Sequence, residues 1–145
     1  MSTTEVPRKF DLPVSLRIKG KVDDVFASWI SREIAEQWLC DHLEGEWKSG
    51  STLYWCFGAE RQEIRVIRIE AGKFIEFRWN ANGTQPETTV KIEFRNLGEE
   101  VGLVLSESSF ELSLESVRWA MDAACGWENL FCRLKAWTEA KIKLR

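Results

Sequence analysis

Glu107 is the acidic residue whose position could place a carboxylate inside the protein. It continues an alternating apolar pattern that ends at Leu105. Because alternate residues of a strand share a face, the pattern predicts that Glu107 points inward. A carboxylate removed from water costs free energy unless it is paired or hydrogen-bonded. The arginines on neighbouring predicted strands that could pair with it are Arg65, Arg68 and Arg78. The alternative is that Glu107 lies at the rim of the sheet and contacts water.

The other reactive residue types form no recognisable catalytic or metal-binding pattern. His42 is the single histidine, and the sequence has neither a G-x-S-x-G turn nor a glycine-rich phosphate loop. The four cysteines include no C-x-x-C pair. Cys125 and Cys132 would lie about 10 Å apart along one helix, too far for a disulfide. We therefore expect no catalytic residue, no metal and no cofactor, and we expect thiols that are not joined in disulfides.

Tryptophan is the unusual component of the composition, because the 145 residues include eight tryptophans and one tyrosine. Each tryptophan can bury about 150–250 Å² of surface. The rings could simply form a bulky core. Alternatively, several of them could line a cavity, where an amphipathic aromatic wall suits an apolar ligand with a polar end.

The charge and the terminal segment exclude several classes of partner. A net charge of -3 and a pI of about 5.4, with basic and acidic residues interspersed, argue against nucleic-acid binding. No apolar run has the length of a membrane span, and the N-terminus lacks a signal-peptide pattern. We expect a cytoplasmic protein with no nucleic-acid partner.

The period of the apolar residues predicts the elements that would position these side chains. Alternation over 14–19 and, with short turns, over 43–110 predicts seven strands in an antiparallel arrangement. Two short helices are predicted between the first two strands, capped by Asp23 or Asp24 and by Ser31. The fold class is therefore α+β, with a flexible segment over 1–12 and a single domain over 13–145.

The segment after Leu112 has helical spacing and predicts one long C-terminal helix. Its apolar face would run from Ala120 through Trp127 to Ile142, against the inner face of the sheet. Small residues in its first half, such as Ala123, could leave room for a cavity. The alternative is that the helix lies closer to the sheet there, and that the rings of the sheet fill the space.

The order of these elements, together with three local matches, resembles a known family. Gly126-Trp127 with Leu130 and Leu134 resembles the signature of its terminal helix, and 101–110 resembles its last strand. Trp38 resembles the tryptophan that ends its second short helix. The family is the activator-of-Hsp90-ATPase-homologue group of the START/polyketide-cyclase (SRPBCC) superfamily. One departure is Glu107, which stands where the family often has histidine.

The resemblance implies a helix-grip fold, in which a curved seven-stranded antiparallel sheet is covered by the long helix. The primary prediction is that a small hydrophobic or lipid-like ligand binds between helix and sheet, without catalysis. One alternative is a co-chaperone-like module that binds a heat-shock protein 90-type chaperone in the stress response. A further alternative is a cyclase- or hydratase-like enzyme that uses Glu107. The predicted ligand-binding residues are Trp38, Trp55, Phe57, Phe77, Trp79, Leu105, Glu107, Trp119, Ala123 and Trp127.

Overall fold

The computed structural model describes residues 8–144, which form seven strands, three α-helices and one short 3-10 helix at Ala81–Gly83. The predicted fold class, an α+β helix-grip domain, is confirmed. The elements in chain order are β1 (Lys9–Lys19), α1 (Val22–Ile30), α2 (Arg32–Trp38), β2 (His42–Glu44), β3 (Thr52–Phe57), β4 (Glu60–Glu70), β5 (Phe74–Asn80), β6 (Glu87–Asn96), β7 (Glu100–Glu111) and α3 (Leu114–Ala140).

The strands form one antiparallel sheet in the order β1-β7-β6-β5-β4-β3-β2. The last six strands are joined in sequence by short connections, as expected for a meander. Strand β1 is separated from β2 by α1 and α2, and it pairs with β7 at the far edge. The strand register shifts within β1 and within β4. Because such irregularities bend a strand, they contribute to the curvature of the sheet.

Strand β1 begins earlier than the sequence predicted. The flexible segment was expected to extend to residue 12, but β1 starts at Lys9 and contains Pro13. Proline cannot donate to a strand ladder, which is why the pattern suggested a break there. Because β1 is an edge strand, Pro13 can be accommodated within it. The prediction for residues 1–7 falls outside the described residues.

The two short helices differ in how they begin. Helix α1 starts after Lys21, with no side-chain cap, so the predicted cap by Asp23 or Asp24 is wrong. Both aspartates instead lie in the first turn, where negative charge interacts favourably with the helix dipole. Ser31 does cap α2, because its side chain accepts a hydrogen bond from the Ile34 backbone N–H.

Helix α3 supplies the long apolar face that the sequence predicted, but it ends earlier. Ser113 caps its start by accepting from the Ser116 N–H, and Lys141 ends it in a left-handed conformation. Ile142 therefore lies beyond the helix and is 52% exposed, so its predicted place on the buried face is wrong. The buried residues of α3 are Ser116, Ala120, Trp127, Leu130, Phe131 and Leu134.

The core lies between the inner face of the sheet and the three helices. Its helical side is built around Trp29, whose ring meets the rings of Trp38 and Phe131 edge to face at 4.9 and 6.2 Å. On the sheet side, Phe77 is fully buried and meets the rings of Trp55 and Trp79. Aromatic side chains thus extend continuously from α1 to the centre of the sheet.

Candidate functional site

Glu107 lies on the inner face of β7 and is 1% exposed. The predicted inward orientation is therefore confirmed, and the alternative position in water at the rim is excluded. In the strand register Glu107 lies opposite Val90 of β6, while Trp79 of β5 lies opposite Thr88. These positions share the inner face, so the side chains of Trp79, Thr88 and Glu107 converge across three adjacent strands.

Three hydrogen bonds hold the Glu107 carboxyl group. Trp127 of α3 donates its indole N–H to Oε1 at 2.8 Å. Trp79 donates its indole N–H to Oε2 at 3.1 Å, and the Thr88 hydroxyl donates to the same oxygen at 2.6 Å. We call these four residues the Glu107 brace. An indole N–H can only donate, so the carboxyl group acts as the acceptor that joins helix α3 to the sheet.

None of the three candidate arginines pairs with Glu107. Arg65 pairs with Glu87 at 3.2 Å, and Arg68 pairs with Glu76 at 3.5 Å. The third candidate, Arg78, is exposed and belongs to β5. The donors that offset the burial of Glu107 are therefore two indole groups and one hydroxyl, rather than a cation.

A cavity of about 650 Å³ lies beside the brace, between α3 and the β3–β5 part of the sheet, and we call it the α3 cavity. Its wall is mainly aromatic and apolar, and its edge carries charged and amide side chains. The lining residues are Leu39, Trp55, Phe57, Glu60, Arg61, Gln62, Trp79, Ala81, Gly83, Gln85, Asp122, Ala123, Gly126, Trp127, Leu130 and Arg133. Such a volume is in the range typical of small-molecule sites.

The predicted ligand-binding residues divide into three groups in the structure. Half of them line the α3 cavity. These are Trp55, Phe57, Trp79, Ala123 and Trp127. Two others, Phe77 and Leu105, are fully buried in the core, and Glu107 lies behind two of the cavity-lining rings. The predicted aromatic wall therefore includes residues that line one cavity, although not every predicted residue reaches it.

Trp38 and Trp119 lie outside the α3 cavity. Trp38 is buried and donates its indole N–H to the Ser28 carbonyl at 2.9 Å, which connects α2 to α1. Trp119 lines a separate polar cavity of about 550 Å³ at the start of α3. It precedes Trp127 by eight residues, or about 12 Å along the helix axis, and it is not among the residues that line the α3 cavity.

The alanines of α3 behave in different ways. Ala120 is buried, as expected where the helix lies close to its neighbours. Ala123 is half-buried and lines the cavity, as expected where a small side chain leaves room. The two alanines therefore differ in their surroundings, since Ala120 is enclosed by its neighbours whereas Ala123 lines the cavity.

The polar edge of the cavity was not predicted from the sequence. Gln62 lies opposite Trp55 in the register and so shares the inner face. The sequence contains a signal for this pairing, because Gly58 begins a two-residue turn between Phe57 and Glu60. In the structure Gly58 has a φ of +60°. Such a turn sets the register of a hairpin. The predicted site residues also omitted Trp47, whose buried ring packs against the ring of Trp55.

His42 lies apart from the α3 cavity, on strand β2. Its Nδ1 is 2.8 Å from a carboxylate oxygen of Glu36, and the Leu43 backbone N–H donates to the same oxygen at 3.0 Å. The Leu43 hydrogen bond, with a smaller contribution from His42, lowers the pKa of Glu36. His42 is not among the residues that line the cavity, so it is not placed to act with Glu107.

The cysteines lie in two different environments. Cys40 and Cys56 are buried, whereas Cys125 and Cys132 are exposed on α3, and no disulfide joins any of these four described positions. Burial raises the pKa of the Cys56 thiol, and the nearby Glu44 carboxylate raises it further. The reactive thiolate form of Cys56 is therefore disfavoured, and the Cys40 and Cys56 thiols are both shielded from solvent.

We expect alkylation of the native protein without reductant to modify Cys125 and Cys132 first. Unfolding should then allow all four thiols to react, because no pair is joined, and intact-mass measurement would show four adducts. The same protein treated with reductant before alkylation is the control. Fewer than four adducts in the unreduced sample alone would reveal a disulfide and contradict this prediction.

Two further properties of residues 8–144 bear on the kind of site present. None of their helices combines the length and apolar character needed to cross a membrane. Within the same part of the chain, no three His, Cys, Asp or Glu side chains form a group that could hold a metal ion.

The fold and site together define a START-like helix-grip domain with an aromatic cavity under its last helix. The sequence profile described as "Activator of Hsp90 ATPase homolog 1-like protein" matches residues 19–139. The chain belongs to this family, which confirms the resemblance noted from the sequence. No curated protein matches the chain.

Solved structures show the same fold at low sequence identity. DynU16, a protein of the dynemicin biosynthetic locus, is 22% identical with a TM-score of 0.80, and the match covers 90% of this chain and 47% of DynU16. SSP2350 from Staphylococcus saprophyticus is 18% identical with a TM-score of 0.80, over 94% of this chain and 96% of that one. Aha1 from Colwellia psychrerythraea is 14% identical with a TM-score of 0.78, over 91% and 98%. This chain thus spans about half the length of DynU16, and these similarities establish the fold alone.

Proposed function

We propose that this protein binds a small hydrophobic or lipid-like molecule in the α3 cavity, without catalysing a reaction. The observation that carries the proposal is the fixed aromatic wall. The Trp79 and Trp127 rings lie 5.2 Å apart and both donate to the buried Glu107. A wall held in place before binding loses less conformational freedom when the ligand enters.

The composition of the cavity supports a ligand with an apolar body and a polar end. The Trp55, Phe57 and Trp79 rings present apolar surface, whereas Arg61 and Gln62 stand among the polar lining residues. Aromatic rings make favourable contacts with apolar and planar groups. Polar groups at the edge of an apolar cavity would set the orientation of such a ligand.

Titration with an environment-sensitive apolar dye or a fluorescent fatty acid tests the proposal. Three tryptophans line the cavity, so we expect a saturable change in tryptophan emission. Native mass spectrometry of protein purified from its own host would show whether a small molecule is retained. Absence of saturable binding for all apolar probes, together with no retained molecule, would contradict the proposal.

Ala123→Phe should weaken probe binding by about tenfold or more, because a large ring on the cavity wall would occupy ligand volume. The matched control is Met121→Phe, which adds a ring to an exposed position of the same helix. We expect the control to bind the probe like the unmodified protein. Both dissociation constants can be measured by the same fluorescence titration. Equal binding by the two variants would place the ligand elsewhere.

Family membership supports a second candidate function, in which the chain acts as a co-chaperone-like module that binds a heat-shock protein 90-type chaperone. Such binding would use the outer face of the sheet or the ends of the helices rather than the cavity. The Ala123→Phe variant separates the two functions, because it should weaken ligand binding while leaving a chaperone interaction intact. A chaperone that co-purifies with both variants, without a retained small molecule, would favour the second candidate.

The catalytic alternative has less support in the geometry. Glu107 is not among the cavity-lining residues, and both of its oxygens already accept hydrogen bonds from the protein. A general acid or base must come within hydrogen-bond reach of the reacting group. In this arrangement Glu107 acts as a positioning residue for the two tryptophans.

A further inference from the structure

Trp55 lines the α3 cavity, and its indole N–H is a buried donor that has no partner among the described residues. Trp55 is 3% exposed, and its Nε1 makes no hydrogen bond within the part of the chain that the structure describes. The other two tryptophans of the wall differ, because Trp79 and Trp127 both donate to Glu107. Buried donors are nearly always satisfied in proteins, so an unsatisfied one in a cavity-lining residue requires an explanation.

We propose that the Trp55 N–H binds a hydrogen-bond acceptor of the ligand, so that the cavity selects apolar molecules that carry a carbonyl or similar neutral oxygen. This inference rests on the proposed ligand-binding function. An indole N–H can only donate, so its partner must be an acceptor. A site with a buried donor discriminates against an analogue that leaves the donor unpaired.

The surroundings of Trp55 favour a neutral acceptor over an anion. Four aromatic rings surround that of Trp55, with centroids between 5.9 and 6.4 Å away. They are Trp29, Trp47, Phe77 and Trp79. Transfer of a charge into such an apolar environment costs far more free energy than transfer of a carbonyl group.

Trp47 provides a matched control within the same aromatic group. Its ring lies 6.4 Å from that of Trp55, it is 8% exposed, and its Nε1 also has no partner among the described residues. Unlike Trp55, it is not among the residues that line the cavity. Trp47→Phe therefore removes a similar indole group from the same cluster but leaves the proposed ligand contact intact.

Two probes of nearly equal shape test the inference. Acetylnaphthalene carries a carbonyl oxygen, and isopropenylnaphthalene, substituted at the same ring carbon, carries a methylene group instead. We expect the unmodified protein to bind acetylnaphthalene about tenfold more tightly than isopropenylnaphthalene, the effect of one hydrogen bond to a buried donor. The preference should persist in Trp47→Phe and disappear in Trp55→Phe. Calorimetry would give each dissociation constant.

Infrared spectroscopy supplies a direct readout of the proposed contact. The carbonyl stretching frequency of bound acetylnaphthalene should be lowered in the unmodified protein and in Trp47→Phe, but not in Trp55→Phe. If Trp55→Phe fails to fold, benzothienylalanine at position 55 replaces the N–H with sulfur in a ring of nearly the same size. This replacement should also remove the preference and the frequency shift.

The possible outcomes separate this inference from the function on which it rests. If neither naphthalene binds and no other apolar probe does, the proposed function fails. If both bind with equal affinity, the function stands and the role of Trp55 is overturned. A tenfold preference that survives the loss of the Trp55 N–H would also overturn it, because another group would then bind the carbonyl.

Discussion

Trp127→Ala is expected to lower the free energy of unfolding by about 3–5 kcal/mol, the usual range for removing a buried aromatic side chain. Trp127 is buried on α3 and packs against Trp79 and Phe131. Its N–H also donates to Oε1 of Glu107, so the variant loses apolar packing and leaves a buried oxygen without its donor. Denaturant-induced unfolding would measure the change.

Two matched variants separate these contributions. Trp127→Phe retains a ring but removes the N–H, so we expect an intermediate loss of about 1–3 kcal/mol from the unmet acceptor and the smaller ring. Trp119→Ala removes a half-buried tryptophan from the same helix, outside the cavity. Its effect should be smaller than that of either Trp127 variant. A loss below about 1 kcal/mol for Trp127→Ala would contradict the central place of Trp127 in the structure.

The fold could be predicted because its periodic segments match its elements closely. The alternating stretch predicted over 43–110 corresponds to the six strands β2 to β7, and the long amphipathic segment forms α3. Parity also predicted that Glu107 points inward. These features depend on which residues alternate or recur along one segment, and a single sequence contains that information.

The partners of Glu107 could not be predicted, because they depend on register and side-chain direction across four elements. Parity left the positions of Arg65, Arg68 and Arg78 open, and charge made them the natural candidates. The actual donors include two tryptophans that the sequence suggested only as cavity wall. An indole group has an apolar body and a polar N–H. Trp79 and Trp127 use both parts, one toward the cavity and one toward Glu107.

The limits of β1 and α3 were missed for local reasons. Pro13 suggested that no strand extends before it, but the edge position of β1 removes the need for its N–H. Ile142 continued the helical spacing of α3, but the chain turns at Lys141, which has a φ of +55°. Nothing in the periodicity marks this turn, because lysine seldom adopts that conformation.

Glu107→Leu is expected to lower the free energy of unfolding by about 2–4 kcal/mol. Leucine has a similar size but leaves the Trp79 and Trp127 N–H groups and the Thr88 hydroxyl without their acceptor. Each unmet buried donor costs about 1–3 kcal/mol. Removal of a buried carboxyl group recovers part of that loss, because its own transfer from water is unfavourable. Equilibrium unfolding in denaturant measures the net change.

Glu107→Gln should cost less, about 1–3 kcal/mol, because its amide oxygen still accepts while its NH₂ group leaves one indole N–H unpaired. Glu93→Gln on the outer face of the sheet is the control and should change stability by less than about 0.5 kcal/mol. We therefore expect Glu107→Leu to be the most destabilising variant, followed by Glu107→Gln and then by Glu93→Gln. If Glu107→Leu is as stable as the unmodified protein, the brace does not stabilise the fold. In that case the effect of the carboxyl group on probe binding would have to explain why a buried acid lies behind the two rings.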